Sequence, residues 1–194
     1  MADPISSPSR RSIARRAATV LAGALACAGA PAEEGAPHDG LHDFDFLVGR
    51  WHVHLRKLLH PLTGSTEWAD YEGSSVTSKL WDGRANTEEF EVASRDGKQR
   101  IDAQTLRLYD PGTRRWSLWL ADAAHGKLSG PPTVGAFEDG RGEFLDAEDH
   151  GGRTILVRYV WTRPTPTTAR MAQSFSADWG RTWEVNWICE LTPP

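Results

Sequence analysis

The feature that most constrains this chain is its hydrophobic period. From Trp51 almost to the last residue, apolar and polar side chains alternate in short runs. A period of two puts successive side chains on opposite faces of a strand, whereas an amphipathic helix needs 3.6. Ten runs can be read: Trp51 to Arg56, Thr66 to Thr77, Asn86 to Ser94, Ile101 to Tyr109, Trp116 to Asp122, Val134 to Glu138, Gly142 to Asp146, Thr154 to Thr162, Ala169 to Ser176 and Thr182 to Leu191. Turn formers separate them, among them Asp82-Gly83, Asp96-Gly97, Asp110-Pro111-Gly112-Thr113, Asp139-Gly140, Gly151-Gly152 and Asp178-Trp179-Gly180. Glycine supplies positive φ, proline fixes φ, and Asp bonds back to the main chain. Short strands at hairpin spacing, without a long amphipathic helix, predict an all-β chain. Consecutive hairpins need no crossovers, and closing them into one antiparallel up-and-down barrel of about 8–10 strands removes exposed edges. Ahead of the first strand, His42 to Gly49 predicts one helical turn, with Asp43 as its cap and Gly49 as its stop.

The chain before that barrel reads differently. Arg10, Arg11, Arg15 and Arg16 precede an Ala-rich apolar stretch that ends in small residues, the layout of a cleavable signal peptide over residues 1–32. Ser9-Arg10-Arg11 also resembles a twin-arginine signal, so the protein is expected to be exported, periplasmic or secreted. Ala24-Leu25-Ala26-Cys27 resembles a lipobox, with Ala24 where a larger aliphatic is usual. Residues 33–41 read as a flexible lead-in and 42–194 as the barrel domain. Residues 1–32 carry four Arg and one Asp, so the net charge of −4 becomes −7 once they are removed. Such a surface repels phosphate backbones and anionic lipid, and nucleic acid is not an expected partner. No apolar run reaches the roughly 20 residues a spanning helix needs, so stable membrane insertion is not expected. Cys189 is the one cysteine beyond the leader, and its apolar neighbours mark it as a buried hydrophobe.

Gly49-Arg50-Trp51 opens the first strand as a Gly-x-Trp does in lipocalin-like barrels, where the glycine permits a tight entry and the indole plugs one end. His52 and His54 are two apart and share a face, the spacing of a two-His metal site. Trp51, Val53 and Leu55 occupy the other face, which reads as the interior. Both histidines should therefore meet solvent, and no metal or other cofactor is expected. Nine tryptophans are many for this length, and large rings fill a barrel or line an aromatic pocket. Several strands also carry polar groups among those rings. Tyr71, Asn86, Glu89, Arg107, Trp119, Arg158, Gln173, Glu184 and Asn186 are the candidate ligand-binding residues, because a cavity needs a few paired polar groups among apolar ones. Asp122 and His125 offer an acid/base pair or a bland polar turn. No nucleophile elbow, phosphate loop, dinucleotide fingerprint or His-Glu-x-x-His is present in the sequence.

Phe44-Asp45-Phe46-Leu47-Val48-Gly49-Arg50-Trp51, Thr105-Leu106-Arg107-Leu108-Tyr109-Asp110-Pro111, Trp116-Ser117-Leu118-Trp119 and Trp183-Glu184-Val185-Asn186-Trp187 together resemble a bacterial family, the domain of unknown function 1579. Phe175-Ser176 with Asp178-Trp179-Gly180-Arg181-Thr182-Trp183 resembles that family's Phe-Ser-x-Asp-Gly-Gly-x-Thr-Trp ending, with Trp179 in place of a glycine. The resemblance covers roughly residues 42–191. It implies a calycin-like barrel, often exported, and carries no catalytic residues across.

Two functions follow as expectations. The first is binding of a small apolar or aromatic ligand by a monomer or homodimer. The second is a cofactor-independent isomerase, cyclase or hydrolase, with Glu89 or Glu184 as acid/base and Arg107 or Arg158 stabilising negative charge. The second predicts a cavity-lining carboxylate whose pKa is raised.

Overall fold

In the computed structural model, residues 38–194 are described; the expected leader, Cys27 and residues 33–37 lie outside the described residues. Strands form where the alternation marks them: β1 (Gly49–Leu58), β2 (Trp68–Leu80), β3 (Ala85–Ser94), β4 (Arg100–Asp110), β5 (Arg115–Asp122), β6 (Lys127–Leu128), β7 (Thr133–Glu138), β8 (Arg141–His150), β9 (Arg153–Thr165), β10 (Thr168–Ser176) and β11 (Glu184–Thr192). Every pairing is antiparallel, each strand but β6 bonding to the next of the wall, and β1 pairs with β11 to close the ring. The two-residue β6 pairs with β5 alone, while β5 and β7 meet directly, so ten strands make the wall and one lies outside it. This is the expected closed, calycin-like barrel, and β6 is the element that the alternation did not show.

Register fixes what points inward. Val53 and Leu55 of β1 sit opposite Gly73 and Tyr71 of β2, and these face Val92 and Ser94 of β3. The inward set continues through Arg107, Trp116, Gly135, Phe144, Tyr159 and Gln173. At Gly73 and Gly135 the adjacent strand passes so near that a Cβ would run into the main-chain carbonyls of Glu91 and Glu143. Those two glycines let the wall coil tightly enough to close.

One end of the barrel is sealed by the residues that precede β1. Asp45–Leu47 make a 3₁₀ turn without a side-chain cap. The expected cap, Asp43, instead bonds the His38 ring at 2.5 Å, because the turn begins one residue later than an Asp43 cap requires. Leu47 is fully buried, and Trp51 Nε1 donates to its carbonyl at 2.8 Å. Phe44 meets Trp116 and Phe137 edge-on, with ring centres 5.2 and 5.0 Å away. Residues 38–41, expected as lead-in, are held here too. The Gly40 carbonyl accepts from Trp116 Nε1 at 2.9 Å, and the Asp39 carbonyl accepts from the Tyr109 hydroxyl. The opposite end, where β5, β8 and β10 finish, is the mouth.

Candidate functional site

Inside the wall is a cavity of about 460 Å³, reaching from the mouth down to the aromatic seal. Its floor is Arg107, buried although it lies between Leu106 and Leu108 in sequence. Hydropathy would put the leucines inside, yet the ladder turns Arg107 inward beside Asn86 and Glu88. Arg107 Nη1 donates to Asn86 Oδ1 at 3.0 Å, and Nη2 donates to a Glu88 carboxylate oxygen. The Ser75 hydroxyl donates to the other Glu88 oxygen at 2.6 Å. The guanidinium also lies over the Phe44 and Trp161 rings, 5.1 and 5.5 Å from their centres. Together these contacts offset the desolvation of a buried ion pair. Among the described residues Arg107 Nε has no partner.

The wall formed by β8, β9 and β10 is polar. Asp146 and Glu148 follow Phe144 on the inward face of β8, and Tyr159 and Gln173 stand beside them. Gln173 Nε2 donates to the Tyr159 hydroxyl at 3.1 Å. Burial raises the Glu148 pKa, the Asp146 charge adds to the rise, and His150 partly opposes it. Burial likewise pushes the Tyr159 hydroxyl well above the usual phenol range, with the Glu148 and Asp146 charges adding to the effect. The other walls are largely apolar, with Met171, Trp187, Leu118, Phe90 and Ile101. Cys189 also lines the cavity; burial raises its thiol far above the ordinary value, which keeps it a neutral hydrophobe. At the mouth, His125 Nδ1 and Asp122 Oδ2 share a 2.5 Å hydrogen bond, which lowers the Asp122 pKa.

Of the residues singled out in the sequence, Arg107 and Gln173 point into this cavity, and Trp119 borders it. Trp119 lies in the wall opposite Leu106, and its register places its ring on the outer side. Asn86 joins them through its bond to Arg107. Tyr71 also points inward and is buried, and its hydroxyl donates to Gln99 Oε1 at 2.5 Å. The rest fall elsewhere. Glu89 is exposed on the outer face, because residues of β3 alternate and the inward carboxylate is Glu88. Arg158 is on the outer face of β9, its guanidinium 4.1 Å from the Trp183 ring centre. Glu184 accepts the Leu62 main-chain N–H at 2.6 Å and so ties the β1–β2 loop to the start of β11. Asn186 sits at the irregularity where β10 and β11 lose register, buried, with no partner for Nδ2 among the described residues. His52 and His54 face outward beside Glu72 and Asp70, at 3.3 and 3.0 Å.

Glu88, Asp146, Glu148 and Tyr159 were not singled out, although their signal was present. Glu88 shares parity with Phe90 and Val92, and Asp146 and Glu148 share it with Phe144. Asn86 and Glu89, three apart, cannot both face inward from one regular strand.

Comparison with known proteins bears on the fold. No family model and no curated protein matches the chain. Among solved structures it is similar to the S-type phycobiliprotein lyase CPES from Guillardia theta. That likeness has a TM-score of 0.56 at 12% identity and covers 78% of this chain and 90% of that one. It is also similar to Rv2717c from M. tuberculosis, with a TM-score of 0.52 at 15% identity, covering 82% of this chain and 98% of that one. At these identities the likeness establishes a shared lipocalin-like barrel.

Proposed function

We propose that this protein binds a small, partly apolar molecule inside its barrel. One observation carries the reading: a cavity of about 460 Å³ is floored by a buried arginine whose Nε has no partner among the described residues. A barrel that existed only to pack would fill that volume and satisfy that donor. The phycobiliprotein lyase named above shares this barrel fold, which agrees with an interior used for ligands. Nile red, a neutral dye whose emission shifts blue in apolar surroundings, tests the reading. Saturable blue-shifted emission is expected, and it should be lost in Ala103→Trp, which fills the cavity from an inward position on β4. Emission that never saturates, or that Ala103→Trp leaves unchanged, contradicts it.

We also read residues 1–32 as an export leader that delivers the barrel to the periplasm or beyond. The arginines from Arg10 to Arg16 and the apolar stretch after them support this. The motifs around Trp51, Arg107, Trp119 and Trp187 support placing the chain with the domain of unknown function 1579.

A second reading, a cofactor-independent enzyme, is favoured by Glu148 in place of Glu89 or Glu184. It lines the cavity, and burial makes it a stronger base than an exposed carboxylate. A benzisoxazole probe tests it. The base takes the ring C–H proton as the N–O bond breaks, giving a nitrile and a phenolate. Turnover above that of free carboxylate, abolished in Glu148→Gln, is expected; turnover unchanged by that substitution counts against the enzyme reading.

A further inference from the structure

Charge inside the cavity is unbalanced in a way that specifies the ligand. Five carboxylates and three Lys or Arg side chains line it. Glu88 is taken by Arg107, Asp102 by Arg100 at 2.7 Å, and Asp122 by the His125 ring. Asp146 and Glu148 remain. Neither forms an ion pair among the described residues, and Asp146 accepts only the N–H of its neighbour Ala147, at 2.6 Å. The remaining cation, Lys57, lies over the Trp187 ring, 5.7 Å from its centre. Two inward carboxylates two residues apart on one strand repel each other, and each is partly withdrawn from water.

Beside them are the faces that favour a cation. Tyr159 sits next to Gln173, Trp187 lies across from it through β10 and β11, and Trp161 closes the lower wall. Aromatic faces and desolvated carboxylates both attract an ammonium group, and their effects add when water is excluded. The unpartnered Arg107 Nε on the same floor is an independent sign that the interior is completed by a ligand.

We infer that the ligand carries a protonated amine on an aromatic or apolar body, with the ammonium held between Asp146 and Glu148 and the body lying against Trp161 and Trp187. This rests on the barrel interior being a binding site, and the experiment separates the two. The full-length protein is titrated calorimetrically with 4-phenylbutylamine, 4-phenylbutanol and 4-phenylbutyrate, which share one apolar body and differ in charge. The amine should bind about tenfold or more tightly than the alcohol, and the carboxylate more weakly than either. Glu148→Gln should weaken the amine about tenfold and leave the alcohol unchanged. Glu143→Gln, which removes one charge from the outer face of the same strand, should leave all three unchanged. Equal binding of amine and alcohol, or preference for the carboxylate, overturns the inference and leaves the interior site standing. Failure of all three to bind at millimolar concentration overturns both.

Discussion

Arg107 and Glu88 are buried deeply enough that removing one partner strands the other. Arg107→Met should cost about 3–5 kcal/mol, because Glu88 is then charged and unpaired. The double substitution Arg107→Met with Glu88→Gln should recover much of that loss, and urea unfolding of both proteins checks it. If the single and double variants are equally destabilised, the pair is not the source. Glu148 behaves in the opposite sense. Its folded-state pKa is raised, so the folded protein holds this proton more tightly than the unfolded chain. The stability it contributes is fully present below the ordinary carboxylate pKa and is lost as pH rises through the folded value. Glu148→Gln should therefore raise Tm at pH 7 and have little effect near pH 4. A stabilisation that does not depend on pH would contradict the assignment.

Turns and strands show what the sequence discloses and what it hides. Ten of the eleven strands were legible, because alternation and turn residues are local signals that the closed ladder obeys. β6 was not, since two residues between loops carry no period. Interior identity was legible in parity but not in hydropathy: Arg107 faces inward while Leu106 and Leu108 face outward, since partners on β3 decide the matter. Glu184 and Asn186 were illegible for another reason. A register shift between β10 and β11 breaks the alternation just before Trp187, and no neighbour in sequence announces it.

The β10–β11 turn gives a direct test. Asp178 accepts the Thr182 main-chain N–H at 2.9 Å and the Thr182 and Ser176 hydroxyls at 2.7 and 2.8 Å, which holds its pKa at about 2. In the midst of that network Trp179 takes φ of +61° with its side chain 74% exposed. The resemblance to the family ending expects a glycine there, and the backbone gives the reason. Trp179→Gly should stabilise the protein by about 0.5–1 kcal/mol, since little packing is lost and the left-handed strain is relieved. Thermal unfolding checks it, and a marked loss of stability would show that the indole packs in solution.

Residues 38–194 form a ring sealed at one end by the segment that precedes β1 and open at the other. Aromatic rings are divided between the two tasks. Phe44, Trp116, Phe137 and Phe144 close the base, while Trp161 and Trp187 are shared with the cavity. Among the described residues no helix is long and apolar enough to cross a membrane. The polar groups of the interior occur in layers, an ion-paired arginine and glutamate below and, above, two carboxylates without an ion-pair partner among the described residues. That ordering suits a ligand that enters apolar end first and leaves its charge nearer the mouth. The most direct test is a crystal structure of the protein purified without unfolding. The account predicts an open interior bounded by Arg107, Glu148 and Trp187, holding electron density for a bound molecule or an ordered solvent chain that reaches Arg107 Nε. An interior collapsed into continuous side-chain packing, with Asp146 and Glu148 turned out to solvent, would contradict it.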